Sequence, residues 1–470
     1  MRRFVLLYAL FASLAFTLFA LAPAHAADGD LDSTFGTDAE FPGYGFYTNP
    51  YGVGLDEHAY VMRAAPNGAL YVFGTLEDTP NTWRLSIVRT LPNGYPDYTF
   101  GNAGVRTYQP PCAGGFPSDV AIDAQGRMWV SFYNCDDFTV YRFLPNGDLD
   151  VSLLGNGVLH VPFNLGDDNK DIAQRIALTA DGDLVIAGLV AAVPARRLGI
   201  ARYTADGQPK AGFGIDGKVD LAADLLINAI GGLHVMRDGR IVITGRYSPN
   251  LFTVTQTVVR VQPGGAIDAG FGNFAPGVAH ADIGNLLGDG SKRLLSEGSL
   301  LEPDGSILQV GSGPYGGAHS STDFALLKWR PDGTLDTTVG PVGLRSYGPD
   351  FAGPNPADDE DNYDRAYSIV RQGDGKYVIL GQSSSTDGRT GLGIIRLTRS
   401  LDLDPTFGNG GKLRVLSEVA IGGADCTFVV NPLLQGGRIV VGVNACIGSG
   451  LSMQAAVGLQ NDLLFADGMD

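Results

Sequence analysis

Leu31-Asp32-Ser33-Thr34-Phe35-Gly36 is a phrase that this chain restates six more times, and its recurrence decides the fold. Close copies are Pro96-Asp97-Tyr98-Thr99-Phe100-Gly101, Ile267-Asp268-Ala269-Gly270-Phe271-Gly272 and Leu403-Asp404-Pro405-Thr406-Phe407-Gly408. Looser copies end at Gly155, at Phe213-Gly214 and at Gly340. Consecutive terminal glycines lie 54 to 68 residues apart. A period of about 60 residues across the chain indicates a stacked repeat rather than unrelated domains.

Each unit carries two further landmarks. One is a turn between apolar runs: Ile176-Ala177-Leu178-Thr179 leads into Asp181-Gly182, and Leu184-Val185-Ile186-Ala187-Gly188 leads away. The same shape recurs at Asn67-Gly68, Gln125-Gly126, Asp238-Gly239, Asp304-Gly305, Asp374-Gly375 and Gly436-Gly437. Asx-Gly supplies positive-φ residues for a tight hairpin. The other landmark is an apolar run ending in a base, such as Leu85-Ser86-Ile87-Val88-Arg89, followed by a second turn that returns to the phrase. Four short strands per unit follow, with no sustained helical period beyond the first residues. Seven such units predict an all-β, seven-bladed β-propeller, in which stacking around an axis buries both faces of each small sheet.

The combination LDxTFGxxG, then DGxxxVxG, then a basic run with DGxLD resembles the delta-60 repeat of exported bacterial proteins. The resemblance spans roughly residues 28–462 and implies propeller-like β-repeats with no general catalytic role. Three departures stand out: Lys210 replaces the phrase Asp, Leu153-Leu154 adds a residue before Gly155, and Val457 replaces the base of the last unit.

Composition agrees with many strands and turns. Glycine makes up 66 of 470 residues, charged residues only 18%, and apolar residues 44%. The chain opens with Arg2 and Arg3, an apolar run from Phe4 to Ala22, Pro23, and the small-residue site Ala24-His25-Ala26. These are the parts of a secretory signal peptide, with cleavage expected after Ala26. The expected organisation is a signal peptide at 1–26, a repeat domain at 27–462 and a short tail at 463–470. Loss of the two arginines takes the net charge from −17 to −19. Such acidity repels phosphate backbones and disfavours nucleic-acid partners. No membrane span is expected in the mature chain, which is expected to be exported and monomeric.

Phe35, Phe100, Phe213, Phe271 and Phe407 are expected to plug the space between blades, each burial being worth about 1.5–3 kcal/mol. Gly36, Gly101, Gly214, Gly272 and Gly408 then turn the chain back. Asp32, Asp97, Asp268 and Asp404 are expected to accept their own turn amides. The alternative, a ring of contacts to Arg89, Arg142, Arg202, Arg260 and Arg396, is weakened by Lys210. The phrase is thus read as a blade-to-blade joint.

Cys112 and Cys135 flank the turn near Gln125-Gly126, and Cys426 and Cys446 flank the turn at Gly436-Gly437. Two hairpin-spanning disulfides are expected, each worth about 3 kcal/mol. Export permits them, and no C-x-x-C or Cys/His cluster suggests a metal.

Chemistry is sparse. His58, His160, His234, His280 and His319 are scattered through different units, and no G-x-S-x-G elbow occurs. Gly311-Ser312-Gly313-Pro314-Tyr315-Gly316 matches G-x-G-x-x-G, but a strand follows where a phosphate-binding helix is needed. The run Asp358-Asp359-Glu360-Asp361-Asn362-Tyr363-Asp364 is rich in oxygen donors, yet its spacing fits no calcium loop. No cofactor is expected, with calcium at that run as the weaker alternative. The function expected is a non-catalytic binding or surface-associated scaffold for a protein or glycan. The competing reading is a polysaccharide hydrolase or lyase with acids gathered at the axis.

Overall fold

The computed structural model describes residues 32, 34–36, 46–48, 56–165, 170–192, 196–221, 227–250, 253–288, 293–315, 322–347, 364–384, 390–416, 433–435, 437–447 and 451–461. They form seven four-stranded antiparallel sheets. Six sheets are consecutive in the chain. Blade 1 runs Glu57–Ala64, Leu70–Thr79, Thr82–Thr90, Val105–Tyr108, and blades 2 to 6 repeat this order as far as Lys412–Leu416. The first strand of each blade is innermost: Phe116–Ile122, Ile172–Leu178, Ala229–Val235, Arg293–Leu301 and Arg365–Arg371 follow Glu57–Ala64 around one axis.

The seventh blade departs from a simple count of seven consecutive units. It takes three strands from the C-terminal end, Leu433–Gln435, Arg438–Ile447 and Leu451–Gln460, and its outer strand, Phe46–Thr48, from the N-terminal end. Phe46 pairs with Val457, Tyr47 with Ala456 and Thr48 with Ala455. The first phrase belongs to this blade as well, since the Asp32 amide donates to the Gly458 carbonyl at 2.9 Å. Both chain ends are therefore laced into one sheet, which closes the ring and removes two open edges.

Second strands lie between neighbouring sheets on both faces, which explains runs such as Leu184–Val190, buried along its whole length. Seven hydrophobic clusters result, one at each blade interface. The residue before the phrase glycine enters the cluster shared with the next blade: Phe100 with blade 2, Phe213 with blade 4, Phe271 with blade 5, Val339 with blade 6, Phe407 with blade 7 and Phe35 with blade 1. In the copy with the extra residue, Leu153 takes that place against blade 3 and Leu154 is exposed.

The Asx-Gly hairpins differ in detail from the expectation. In blade 1 the Gly68 amide donates to Ala65 and the Ala65 amide to Ala69, so the loop holds three residues. Only the glycine takes positive φ, 80° at Gly68, while the Asn67 side chain accepts from the Ala69 amide at 3.1 Å. Antiparallel alternation then sorts the connections. Asx-Gly turns and phrase turns share one face of the disc. The opposite face carries the variable connections, including residues 109–115 and 134–137.

Candidate axial binding site

The phrase residues sit away from the axis, at the joints between blades. Each phrase Asp divides its two oxygens. Asp97 Oδ1 accepts from the Thr99 amide at 3.0 Å, and Oδ2 accepts from Arg89 Nε at 2.8 Å. Asp404 likewise takes the Thr406 amide at 3.1 Å and Arg396 Nε at 2.8 Å, and Asp268 takes the Gly270 amide at 3.3 Å and Arg260 Nε at 2.7 Å. Turn capping and the Asp–Arg contact are thus simultaneous rather than alternatives. The same arginines lie over the phrase rings, Arg260 4.3 Å from the Phe271 centroid and Arg396 4.8 Å from Phe407. They also reach the next blade, Arg89 to the Pro145 carbonyl at 3.0 Å and Arg260 to Pro331 at 2.7 Å.

Two departures are explained by exchange within this constellation. In blade 3, where Lys210 replaces the phrase Asp, Asp183 follows the hairpin glycine and receives Arg202 and Lys210, each at 2.8 Å. In blade 7 the position of the strand base is held by Gly458 rather than Val457, as the shared hydrogen bond to Asp32 shows. Arg438, on the adjacent strand, pairs with Asp32 there. The phrase glycine is set by close approach: a Cβ on Gly101, at φ 57°, would lie 2.0 Å from the Val105 carbonyl oxygen. Burial alone would raise these carboxyl pKa values. Hydrogen bonds from the flanking Thr and the base outweigh it at Asp97, Asp404 and Asp336, and those from Arg260, Arg240 and the Gly270 amide do so at Asp268, holding Asp97, Asp268 and Asp404 low and Asp336 at about 2.

The axis carries a different arrangement. The inner strands of blades 1 to 6 share a register break at one equivalent place, leaving an extra residue between Ala59 and Val61, Pro117 and Asp119, Ala173 and Arg175, Ile230 and Gly232, Ser296 and Gly298, and Ala366 and Ser368. Blade 5 has a second break between Arg293 and Leu295. A bulge re-aims its side chain. The extra residues at the shared place are Tyr60, Ser118, Gln174, Gly231, Glu297 and Tyr367. All but Gln174 line an axial recess of about 600 Å³, and the Gln174 side chain instead accepts from the Ile230 amide at 2.9 Å.

Ion pairs and hydrogen bonds lace the recess wall from blade to blade. Arg63 pairs with Asp119 at 2.6 Å, and Asp119 also accepts from the Ile176 amide at 3.0 Å. Glu297 meets Arg246 at 3.0 Å and Arg365 at 3.3 Å. His234 Nε2 lies 2.8 Å from Ser299 Oγ, and burial lowers the imidazole to about 4, so it is neutral at pH 7. Asn444 of blade 7 bonds both the amide and the carbonyl of Ala59. At the variable face Phe116 stacks between Tyr60 and Tyr133, with centroids 5.1 Å apart on each side, and His58 stacks on Trp83 at 5.3 Å.

The remaining sequence candidates have mundane places. His160 contacts Thr139, and His280 stacks on Phe274; His319 falls outside the described residues. Cys112 and Cys135 form a disulfide bridging two connections on the variable face. Cys426 lies outside the described residues, as do Asp358 to Tyr363. Asp364, the last of the acidic run, is bonded through its backbone to Thr322. Residues 311–315 lie within the strand Ile307–Tyr315. Among the described residues no group of three or more His, Cys, Asp or Glu side chains gathers as a metal site, and no helix is long and apolar enough to cross a membrane. The bulges escaped sequence reading, although each breaks the period-2 alternation a few residues before an Asx-Gly turn.

Residues 179–213 and 372–407 match the family model described as a domain of unknown function (DUF5122) beta-propeller. Each segment runs from the hairpin turn to the phrase Phe, in blades 3 and 6. A comparison with curated proteins finds no match. Among solved structures the chain is similar to the polysaccharide lyase Uly1, at 12% identity over 93% of this chain and 98% of that one, with a TM-score of 0.49. It is similar to virginiamycin B lyase from Staphylococcus aureus at 12% identity over 88% and 99%, TM-score 0.44. Drosophila Plexin A, in a complex with Semaphorin 1b, gives 9% over 93% and 88%, TM-score 0.42. Likenesses this distant carry no argument about activity.

Proposed function

We propose that this protein is an exported, non-catalytic binding propeller of the delta-60 kind, and that its ligand enters the axial recess from the variable face. One observation carries the reading. The joints repeat the same chemistry around the ring, whereas the bulge position changes at almost every blade: Tyr60, Ser118, Gln174, Gly231, Glu297, Tyr367. A concave site with a few polar groups converging from several elements is the usual form of a ligand pocket. Export is supported by the leader-like residues 1–26 and by the Cys112–Cys135 disulfide. Asp119 and Glu297, the two carboxylates that line the recess among the described residues, are each engaged by guanidinium groups. That favours a binding role over acid–base cleavage of a glycan.

The test is calorimetric titration of the mature protein with cellohexaose and with oligogalacturonate. Binding that is lost in Ser368→Trp, a substitution that fills the recess, supports the proposal. Absence of binding to both, or binding indifferent to Ser368→Trp, overturns it. Release of shortened or unsaturated sugar during incubation overturns the non-catalytic part.

A further inference from the structure

Arg175 is the exception among the ionic groups of the recess. Arg63 and Asp119 neutralise each other, and Glu297 is held by two arginines. Among the described residues Arg175 meets only backbone carbonyls: Nε donates to Gly231 at 3.3 Å and Nη1 to Gln174 at 2.8 Å. A guanidinium has five N–H donors, so three of them remain open among the described residues, and the side chain lines the recess half-buried. The two carbonyl bonds orient the group without neutralising it. Guanidinium groups so held recognise carboxylate in a two-pronged manner.

The surrounding surface narrows the class of ligand. The rest of the wall carries hydroxyl groups, Ser118 on the adjoining blade 2 and Ser299, Tyr367 and Ser368 further round the ring on blades 5 and 6. Ser368 Oγ has no hydrogen-bond partner among the described residues. At blade 4 the wall is backbone, because Gly231 and Gly232 present no side chain next to Arg175. Tyr60, which lines the recess, stacks on Phe116 and Phe116 on Tyr133, and the three half-buried rings form a platform running from the recess toward the variable face. Flat aromatic faces with many hydroxyl partners suit a sugar ring, and an open guanidinium suits an acid on that sugar.

Resting on the axial-recess reading above, we infer that the ligand is a uronic-acid-containing oligosaccharide, with one uronate carboxylate bound by Arg175 and a neighbouring sugar ring resting against the Tyr60–Phe116–Tyr133 platform.

Calorimetry with three probes tests this: oligogalacturonate, cellohexaose of matched length, and a hexapeptide with a free C-terminal carboxylate. Oligogalacturonate is expected to bind at least ~10-fold more tightly than cellohexaose, the range expected for a charge-assisted contact. Arg175→Gln is expected to bring oligogalacturonate down to the cellohexaose level, and Arg175→Lys to retain part of the difference. Should Arg175→Gln unfold, wild-type affinity still reports: it must fall with added NaCl for oligogalacturonate and stay level for cellohexaose. Equal binding of the two sugars, an unaffected Arg175→Gln, salt-independent affinity or preference for the peptide overturns the inference. Recess binding of cellohexaose without preference for the acid sinks this inference alone. Failure of both sugars to bind sinks the axial-recess reading with it.

Discussion

Asp183 receives Arg202 through two hydrogen bonds, Nε at 3.0 Å and Nη2 at 2.8 Å, in the one blade whose phrase carries a lysine instead of an aspartate. The acid has moved from the phrase to the residue after the hairpin glycine, and Lys210 joins it at 2.8 Å. What the joint requires is an acid–base contact at that place, with either strand able to supply the acid.

Removing the acid is therefore costly and the cost is reversible. Asp183→Asn leaves two cations facing each other at a mostly buried site and is expected to destabilise by about 3 kcal/mol. Adding Lys210→Asp, which restores the phrase acid beside Arg202, is expected to recover most of the loss. Denaturant unfolding of the single and double variants checks both. A double variant no better than the single would show that the two positions do not exchange.

Acid sensitivity follows from the same joints. Asp336 has a carboxyl at about 2 in place of 3.8, because hydrogen bonds from Thr338 and Lys328 outweigh its burial. A lowered value means that stability is fully present above pH 3.8 and is lost as the pH falls toward 2. Asp336→Asn is expected to cost about 2 kcal/mol at neutral pH and almost nothing near pH 2. Unfolding curves across that range report it, and a constant gap at all pH values would refute the assignment.

His234 adds a second, milder window. Its imidazole sits at about 4 in place of 6.5 because burial disfavours the charged form. The unfolded chain binds the proton more readily between those values. The contribution of the neutral ring is complete above 6.5 and declines as the pH falls toward 4. His234→Asn is expected to flatten stability between pH 7 and pH 5, by about 2 kcal/mol relative to wild type. A parallel pH dependence in the two proteins would contradict it.

The disulfide and the ring closure make distinct stability predictions. Replacing both Cys112 and Cys135 by Ser opens a loop of sequence separation 23 and is expected to cost about 3 kcal/mol. Phe35→Ala empties the joint between blades 7 and 1, where the ring is completed by chain ends far apart in sequence. The expected loss is about 3–5 kcal/mol. Hydrogen exchange should then rise first at Phe46–Thr48 and Leu451–Gln460, the strands whose pairing closes the ring. Uniform loss of protection around the ring would contradict that localisation.

The blade count, the hairpins and the Cys112–Cys135 bridge are legible in the sequence because each depends on local turn chemistry at a fixed period. The phrase Phe is legible for the same reason. Ring closure is not, because Leu31 to Gly36 looks like the start of the first unit and becomes the end of the last only when the Asp32 amide meets Gly458. The Asp–Arg contacts are half legible: Lys210 obscures them, since Asp183 lies 27 positions earlier and across a strand pair. The axial recess is not legible at all. Its lining comes from a few residues in each of several separate blades, some of them aimed inward by register shifts that sequence alternation registers only as small irregularities.

Hydrogen–deuterium exchange of the mature protein with and without oligogalacturonate tests most directly whether the axis is the functional site. The axial account predicts protection in the inner strands Glu57–Ala64, Ile172–Leu178, Ala229–Val235 and Arg293–Leu301, with the phrase turns at 96–101 and 267–272 unchanged. No protection, or protection centred on those phrase turns, would contradict it.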